Sequence, residues 1–141
     1  MPLSRNPTAQ IFFYTWILLL QVLFSNQVIA AEITQDQLLD RLGSKSDLLI
    51  LDVRRPDEFS AGHVPDAINI PHTELEDHLE QLRTNIDEEI VVYCESGRRA
   101  VIAEDILTRA GFTRILHLQG DMKAWRTHGL PMQKDNSGDT H

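Results

Sequence analysis

Two short runs that are continuously apolar, rather than alternating, constrain the fold of this chain more than any other feature. They cover residues 48–53, where Asp52 is the one polar member, and residues 90–93. A strand with apolar side chains on both faces must be covered on both, as in a parallel sheet between helices. Helical patterns alternate with the predicted strands, so we expect an α/β domain with a doubly wound, mostly parallel sheet flanked by helices.

The other elements follow from apolar patterns and from helix start and stop signals. A capping box of Thr34 and Gln37 predicts a helix directly after residue 33, and Gly43 is its candidate C-cap. Trp125 and Met122 lie at helical spacing and are interpreted as core packing. The further predicted strands are Ala67–Ile70, Glu89–Tyr93 and Arg114–Leu118, and the further predicted helices are Glu74–Leu82, Arg98–Ala110 and Asp121–His128.

The first thirty residues have the organisation of a secretory signal peptide. Arg5 precedes an apolar run over residues 11–24, and the small-residue pattern of a cleavage site follows at residues 28–31. We therefore expect cleavage after Ala30 and a periplasmic or secreted protein with no membrane contact after cleavage. A retained membrane anchor is the alternative, because a helix of about 20 residues can span a bilayer.

Cleavage would leave one domain over residues 31–134 and a flexible polar tail over residues 135–141. The chain of 141 residues has a net charge of −8, and no basic block offsets its acidic residues, so a nucleic-acid partner is not expected. A single cysteine excludes an internal disulfide and a zinc site built from several cysteines. We expect no metal and a monomeric protein.

The single cysteine, Cys94, follows a predicted buried strand and precedes a predicted helix. Ligands of open parallel sheets bind outside the carboxyl ends of the strands. There, backbone N–H groups of residues 95–99, the helix dipole and the charges of Arg98 and Arg99 all favour a thiolate. An inert, buried cysteine is the alternative, but an unpaired cysteine in an exported protein favours a reactive thiol.

Three charged residues, Asp52, Arg54 and Glu58, follow the first buried strand and are expected near the same edge of the sheet. In one interpretation, Asp52 and Glu58 hold arginines such as Arg54 and Arg99 in place around Cys94. In the other, these residues form ordinary surface ion pairs worth about 0–1 kcal/mol each. The five histidines other than His63, which include His117, lack metal-ligand spacing and are interpreted as surface or edge residues.

Three segments resemble the rhodanese family of sulfurtransferases in order and spacing. They are residues 51–71, which include Leu-Asp-Val-Arg and Gly-His-Val-Pro, residues 94–100, and residues 118–131, which include Leu-Gln-Gly-Asp-Met-Lys-Ala-Trp. The resemblance implies a five-stranded parallel sheet and places His63 in a structural motif. Asp66 and Asp121 stand where the family usually has glycine; aspartate tolerates a positive φ better than most residues.

The resemblance also implies the chemistry. Cys94 would take a sulfane sulfur from a small anionic donor such as thiosulfate, hold it as a persulfide, and pass it to cyanide or a thiol. No metal or organic cofactor is implied. The loop that binds the substrate and the persulfide would be Glu95, Ser96, Gly97, Arg98 and Arg99.

Two other functions stay open at this point. Related phosphatases and arsenate reductases have a longer Cys-x5-Arg loop, whereas the residue six positions after Cys94 is Ala100 and the arginines come earlier. The loop length therefore favours sulfur transfer. The second alternative is a rhodanese-like binding or sensing module without catalysis, since a fold alone does not determine function.

Overall fold

The computed structural model describes residues 30–42, 44 and 48–135, which form a five-stranded sheet flanked by helices. The strands are β1 (Ala31–Ile33), β2 (Leu48–Asp52), β3 (Ile68–Asn69), β4 (Glu89–Tyr93) and β5 (Ile115–Leu118). The helices are α1 (Gln35–Leu42), α2 (Pro56–Ala61), α3 (Leu75–Leu82), α4 (Arg98–Arg109) and α5 (Asp121–Thr127), with a 3₁₀ turn at Arg83–Asn85. The strand order is β1-β5-β4-β2-β3, and each of these four pairings is parallel. The predicted fold class is confirmed.

The central strand β4 explains why the apolar runs do not alternate. Ile90 and Val92 pack into one apolar cluster, which also contains Cys94 and the buried face of α4. Val91 and Tyr93 pack into a second cluster on the opposite face of the sheet. Because successive side chains of a strand point to opposite faces, a strand between two cores must be apolar throughout.

The capping box at the start of α1 is confirmed. The backbone N–H of Gln37 donates to Thr34 Oγ1 at 3.2 Å, and the backbone N–H of Thr34 donates to Gln37 Oε1 at 3.0 Å. Trp125 and Met122 are fully buried, which confirms their interpretation as core residues. Asp66 and Asp121 have φ values of 63° and 52°, as expected at positions where glycine is usual.

Two short elements were not predicted from the sequence. The three-residue strand β1 precedes α1 directly, where the pattern indicates only a helix, and it pairs with β5. The six-residue helix α2 follows β2 and has no buried residue. Both are too short to show a period, and α2 lacks the apolar face that identifies a helix in a sequence.

Some predictions concern residues outside the described part of the chain. All of the predicted signal peptide except Ala30, the candidate cap Gly43, and all of the predicted tail except Asp135 lie there. These three stay predictions. No helix in the described residues has the length and apolarity needed to cross a membrane.

Candidate active site

Cys94 lies immediately after β4, at the carboxyl edge of the sheet. The residue is 1% exposed, and the loop that follows it leads directly into α4. Gly97 turns this loop with a φ of 94°, a left-handed conformation that favours glycine. The turn directs the backbone N–H of Gly97 at Cys94 Sγ, at a distance of 3.1 Å. The sulfur therefore sits in a loop that presents a hydrogen-bond donor to it, as the sequence predicts.

Hydrogen bonds join the first turn of α5 to this loop. The backbone N–H groups of Met122 and Lys123 donate to the carbonyl oxygens of Cys94 and Glu95, both at 3.1 Å. In return, the backbone N–H of Cys94 donates to Asp121 Oδ1 at 2.8 Å. The bonds from Met122 and to Asp121 fix the backbone of Cys94 on both sides of its α-carbon, and the bond from Lys123 fixes Glu95.

Of the two loop arginines, Arg99 is half-buried and interacts electrostatically with Cys94. Its guanidinium donates to both carboxylate oxygens of Glu58 on α2, at 2.6 and 2.9 Å. The hydrogen bond to Glu58 raises the pKa of Arg99, and Coulombic attraction to Glu58 and to Cys94 raises it further. The same bond lowers the pKa of Glu58 to about 2. Arg98 is exposed and has no ion-pair partner among the described residues.

A second, fully enclosed ion pair lies at the same edge of the sheet. Arg54 is 1% exposed and donates to the carboxylate of Asp52, with the shortest bond, from Nη2 to Oδ2, at 2.6 Å. Arg54 Nη2 also donates to the carbonyl oxygen of Gly62 at 2.8 Å, and the guanidinium lies over the ring of Tyr93. Both carboxylates predicted to hold arginines, Asp52 and Glu58, are therefore bound to the predicted partners.

The remaining loop residues point away from the sulfur or into solvent. Glu95 is half-buried and binds Arg126 on α5 through both of its carboxylate oxygens. Its carboxylate also lies 3.9 Å from Arg54 Nη1. Ser96 is exposed at the tip of the loop. Glu95 thus ties the loop to α5, in addition to the backbone bonds.

His117, on β5 behind the loop, was not predicted to be a site residue. Its interpretation as a surface or edge residue is wrong, because β5 lies between β1 and β4 and the side chain is only 16% exposed. The imidazole Nδ1 is 2.5 Å from Glu104 Oε1, and Nε2 is 3.2 Å from Asp121 Oδ2. These carboxylates, Asp121 first and Glu104 second, raise the pKa of His117 to about 10. The available signal was Asp121 at a glycine position, four residues after a histidine.

His63 has the structural role predicted for it. The residue is buried, its ring stacks on Phe59 with centroids 3.7 Å apart, and Nδ1 lies 2.9 Å from the carbonyl oxygen of Phe59. In the part of the chain that the structure describes, no three His, Cys, Asp or Glu side chains are grouped to hold a metal ion.

The sequence and the fold are both similar to those of known proteins. The family model of the rhodanese-like domain matches residues 34–128. A protein named sulfurtransferase from Allochromatium vinosum is 38% identical over 104 residues, which are 72% of this chain and 92% of that protein. Thiosulfate sulfurtransferase 16, chloroplastic, from Arabidopsis thaliana is 40% identical over 91 residues, 57% of this chain and 76% of that protein. The crystal structure of a rhodanese-related protein from Thermoplasma volcanium superimposes with a TM-score of 0.64 at 28% identity, covering 73% of this chain and 97% of that one.

Proposed function

The chain belongs to the rhodanese-like domain family, and from this premise we propose that it is a sulfurtransferase that carries a sulfane sulfur on Cys94. The donor we propose is a small anion such as thiosulfate, and the acceptor is cyanide or a thiol. The single observation that carries the proposal is the position of the Cys94 sulfur, at the carboxyl end of β4 with the N–H of Gly97 directed at it. Two relatives named as sulfurtransferases support the reaction class.

The first half-reaction is a displacement at sulfur. The Cys94 thiolate attacks the outer sulfur of thiosulfate, a new S–S bond forms, and the bond to the sulfonate sulfur breaks. Sulfite leaves with the electron pair of the broken bond, and Cys94 carries the persulfide anion. The N–H of Gly97 donates to Cys94 Sγ and stabilises the attacking thiolate, because this donor is in place before the reaction begins.

The second half-reaction returns the enzyme to its starting state. Cyanide or a thiolate attacks the outer sulfur of the persulfide, and the electron pair of the cleaved S–S bond returns to Cys94 as thiolate. No net oxidation or reduction of the protein occurs over the cycle. Arg99, held by Glu58 next to the sulfur, is positioned to attract the anionic donor and to orient it for attack.

The length of the loop argues against hydrolysis of phosphate esters. Helix α4 begins at Arg98, so only three residues separate it from Cys94. Little backbone is left to surround a tetrahedral oxyanion, and a small outer sulfur is the better fit.

Steady-state kinetics with two donors and two acceptors tests the proposal. Thiosulfate and 3-mercaptopyruvate are each offered with cyanide and with a dithiol, and p-nitrophenyl phosphate is run in parallel. We expect transfer from thiosulfate, ping-pong kinetics, and no transfer by Cys94→Ser, which nearly preserves the volume of the side chain. Phosphate-ester hydrolysis without sulfur transfer would refute the proposal. Equal transfer by Cys94→Ser would also refute it.

A further inference from the structure

The sulfur-transfer reaction alone does not explain why a carboxylate, that of Asp121, lies under the Cys94 loop. Its side chain is nearly fully buried, its backbone is left-handed, and its Oδ1 accepts the N–H of Cys94. Its other oxygen, Oδ2, lies under Gly97, only 3.3 Å from where a β-carbon on that glycine would be. A carboxylate at this place opposes a thiolate or persulfide in the same loop, because like charges at short distance disfavour each other.

The other cations near the loop do not pair with Asp121, so they do not offset the charge of its carboxylate. Arg54 is bound to Asp52, and Arg99 is bound to Glu58. Arg98 is exposed to solvent, where its charge is screened. The remaining half-buried cation in the described part of the site is His117, which faces the Oδ2 oxygen of Asp121.

The geometry of His117 requires a charged ring. Both of its nitrogens face carboxylate oxygens, Glu104 Oε1 and Asp121 Oδ2. An ionised carboxylate only accepts hydrogen bonds, so both ring nitrogens must carry a proton, which makes the ring an imidazolium. A pKa of about 10 for His117 agrees with this protonation state.

We propose that His117 is a positioning residue that offsets the charge of Asp121, so that Asp121 can hold the Cys94 backbone without repelling the sulfur anion. Glu104 fixes the ring from the other side, and Asp121 transmits the effect to the loop. The inference rests on the proposed role of Cys94 as the sulfur-carrying thiolate. It assigns a function to the aspartate that replaces the usual glycine of this family.

The test measures the thiol directly, by the rate at which iodoacetamide alkylates Cys94 at pH 7. His117→Gln removes the positive charge, and we expect alkylation to slow on the order of tenfold, because a like charge then lies uncompensated under the loop. Asp121→Asn keeps an acceptor for the Cys94 N–H and suits a left-handed backbone; we expect faster alkylation. The double variant should match Asp121→Asn within about twofold, because the carboxylate under the loop is gone and Glu104, the other carboxylate that His117 binds, lies on the opposite side of the ring.

His128→Gln is the matched control, since this histidine lies at the end of α5 and binds Gln35 instead. Its alkylation rate should equal that of the unmodified chain. A merely structural role for His117 predicts slow alkylation in the double variant as well, and that result would overturn the inference. An unchanged rate in His117→Gln would also overturn it.

The alkylation test is independent of the test of the proposed function. Alkylation requires no sulfur donor, so the pattern can hold even if thiosulfate transfer fails, and transfer can occur without the pattern. If His117→Gln does not fold, as judged by circular dichroism, Asp121→Asn decides alone. A faster rate in that variant supports the inference, and an unchanged or slower rate overturns it.

Discussion

The charged groups on the two sides of the Cys94 loop are paired in different ways. We call these groups the arginine side (Asp52, Arg54, Glu58 and Arg99) and the histidine side (Glu104, His117 and Asp121). On the arginine side, each carboxylate binds one guanidinium through two or more hydrogen bonds. On the histidine side, one ring lies between two carboxylates. An arginine is charged at any ordinary pH, whereas a histidine is charged only as far as its partners make it so.

One site thus combines a charge that is constant with pH and a charge that depends on pH. The arginine side has no net charge and keeps its geometry over a wide pH range. The histidine side carries one more negative than positive charge, and it depends on the proton of His117. In the proposed reaction, the first side supplies Arg99 for the anionic donor, and the second side affects the charge next to the sulfur.

The largest expected effect is on folding stability, from Asp52→Ala. The change removes the only carboxylate in the described residues that is hydrogen-bonded to the buried guanidinium of Arg54 and leaves it the half-buried Glu95 at 3.9 Å, which costs about 3–5 kcal/mol of unfolding free energy. Urea unfolding measures the loss. Asp57→Ala is the control, because Asp57 forms an exposed pair with Arg55 and should change stability very little. Equal losses in the two variants would contradict the enclosed character of the arginine side.

The next effect separates the two loop arginines. Arg99→Ala should lower kcat/KM for thiosulfate by about 10- to 100-fold, the scale of a lost charge-assisted hydrogen bond. Arg98→Ala should have a smaller effect that disappears at high salt, because an exposed charge acts through a screened field. Kinetics at two salt concentrations distinguishes them. A larger, salt-independent loss in Arg98→Ala would mean that Arg98, and not Arg99, binds the donor.

A pair of glycine substitutions tests how closely the loop fits against the histidine side. Gly111 and Gly97 have nearly equal φ values, 98° and 94°, but a β-carbon on Gly111 meets nothing within 4 Å. Gly111→Ala should cost about 1–2 kcal/mol from backbone strain alone. Gly97→Ala should cost more, because its β-carbon also crowds Asp121. Equal unfolding free energies would mean that the carboxylate yields freely, and that the loop is not held as described.

A further expected effect is on the pH dependence of stability, which should differ between the sides. The pKa of Glu58 is lowered from 4.5 to about 2, so its contribution is present above pH 4.5 and is lost as pH falls toward 2. The pKa of His117 is raised from 6.5 to about 10, so its contribution is complete below pH 6.5 and is lost as pH rises to 10. Urea unfolding across pH, compared with Glu58→Gln and His117→Gln, should show the two differences vanishing at opposite ends. If both stability differences disappeared in the same pH range, the two sides would not differ in their dependence on pH.

Most of the arginine side could be predicted from the sequence, because its residues follow strand ends or belong to one loop. Parallel strands place Asp52 and Cys94 at the same edge of the sheet, and the position of Arg99 follows from the start of a helix. The choice between Arg98 and Arg99 could not be predicted. It depends on α2, which brings Glu58 to Arg99 across 41 residues and which has no apolar period to reveal it.

The histidine side could not be predicted for a different reason. Its three residues come from α4, β5 and α5, and they meet only because these elements pack together behind the loop. A histidine in a strand reads as polar, which favours a surface position in any pattern based on burial. Asp121 at a position where glycine is usual predicts a positive φ, but the sequence does not show that its carboxylate binds the Cys94 N–H in the folded chain.

Intact-mass analysis determines directly whether Cys94 carries the transferred sulfur, as we claim. The protein is incubated with thiosulfate, separated from excess donor, and compared with Cys94→Ala before and after addition of cyanide. We predict one added sulfur atom on the unmodified chain, its removal by cyanide, and no added sulfur on the variant. No mass increase on the unmodified chain, or the same increase on Cys94→Ala, would contradict the claim.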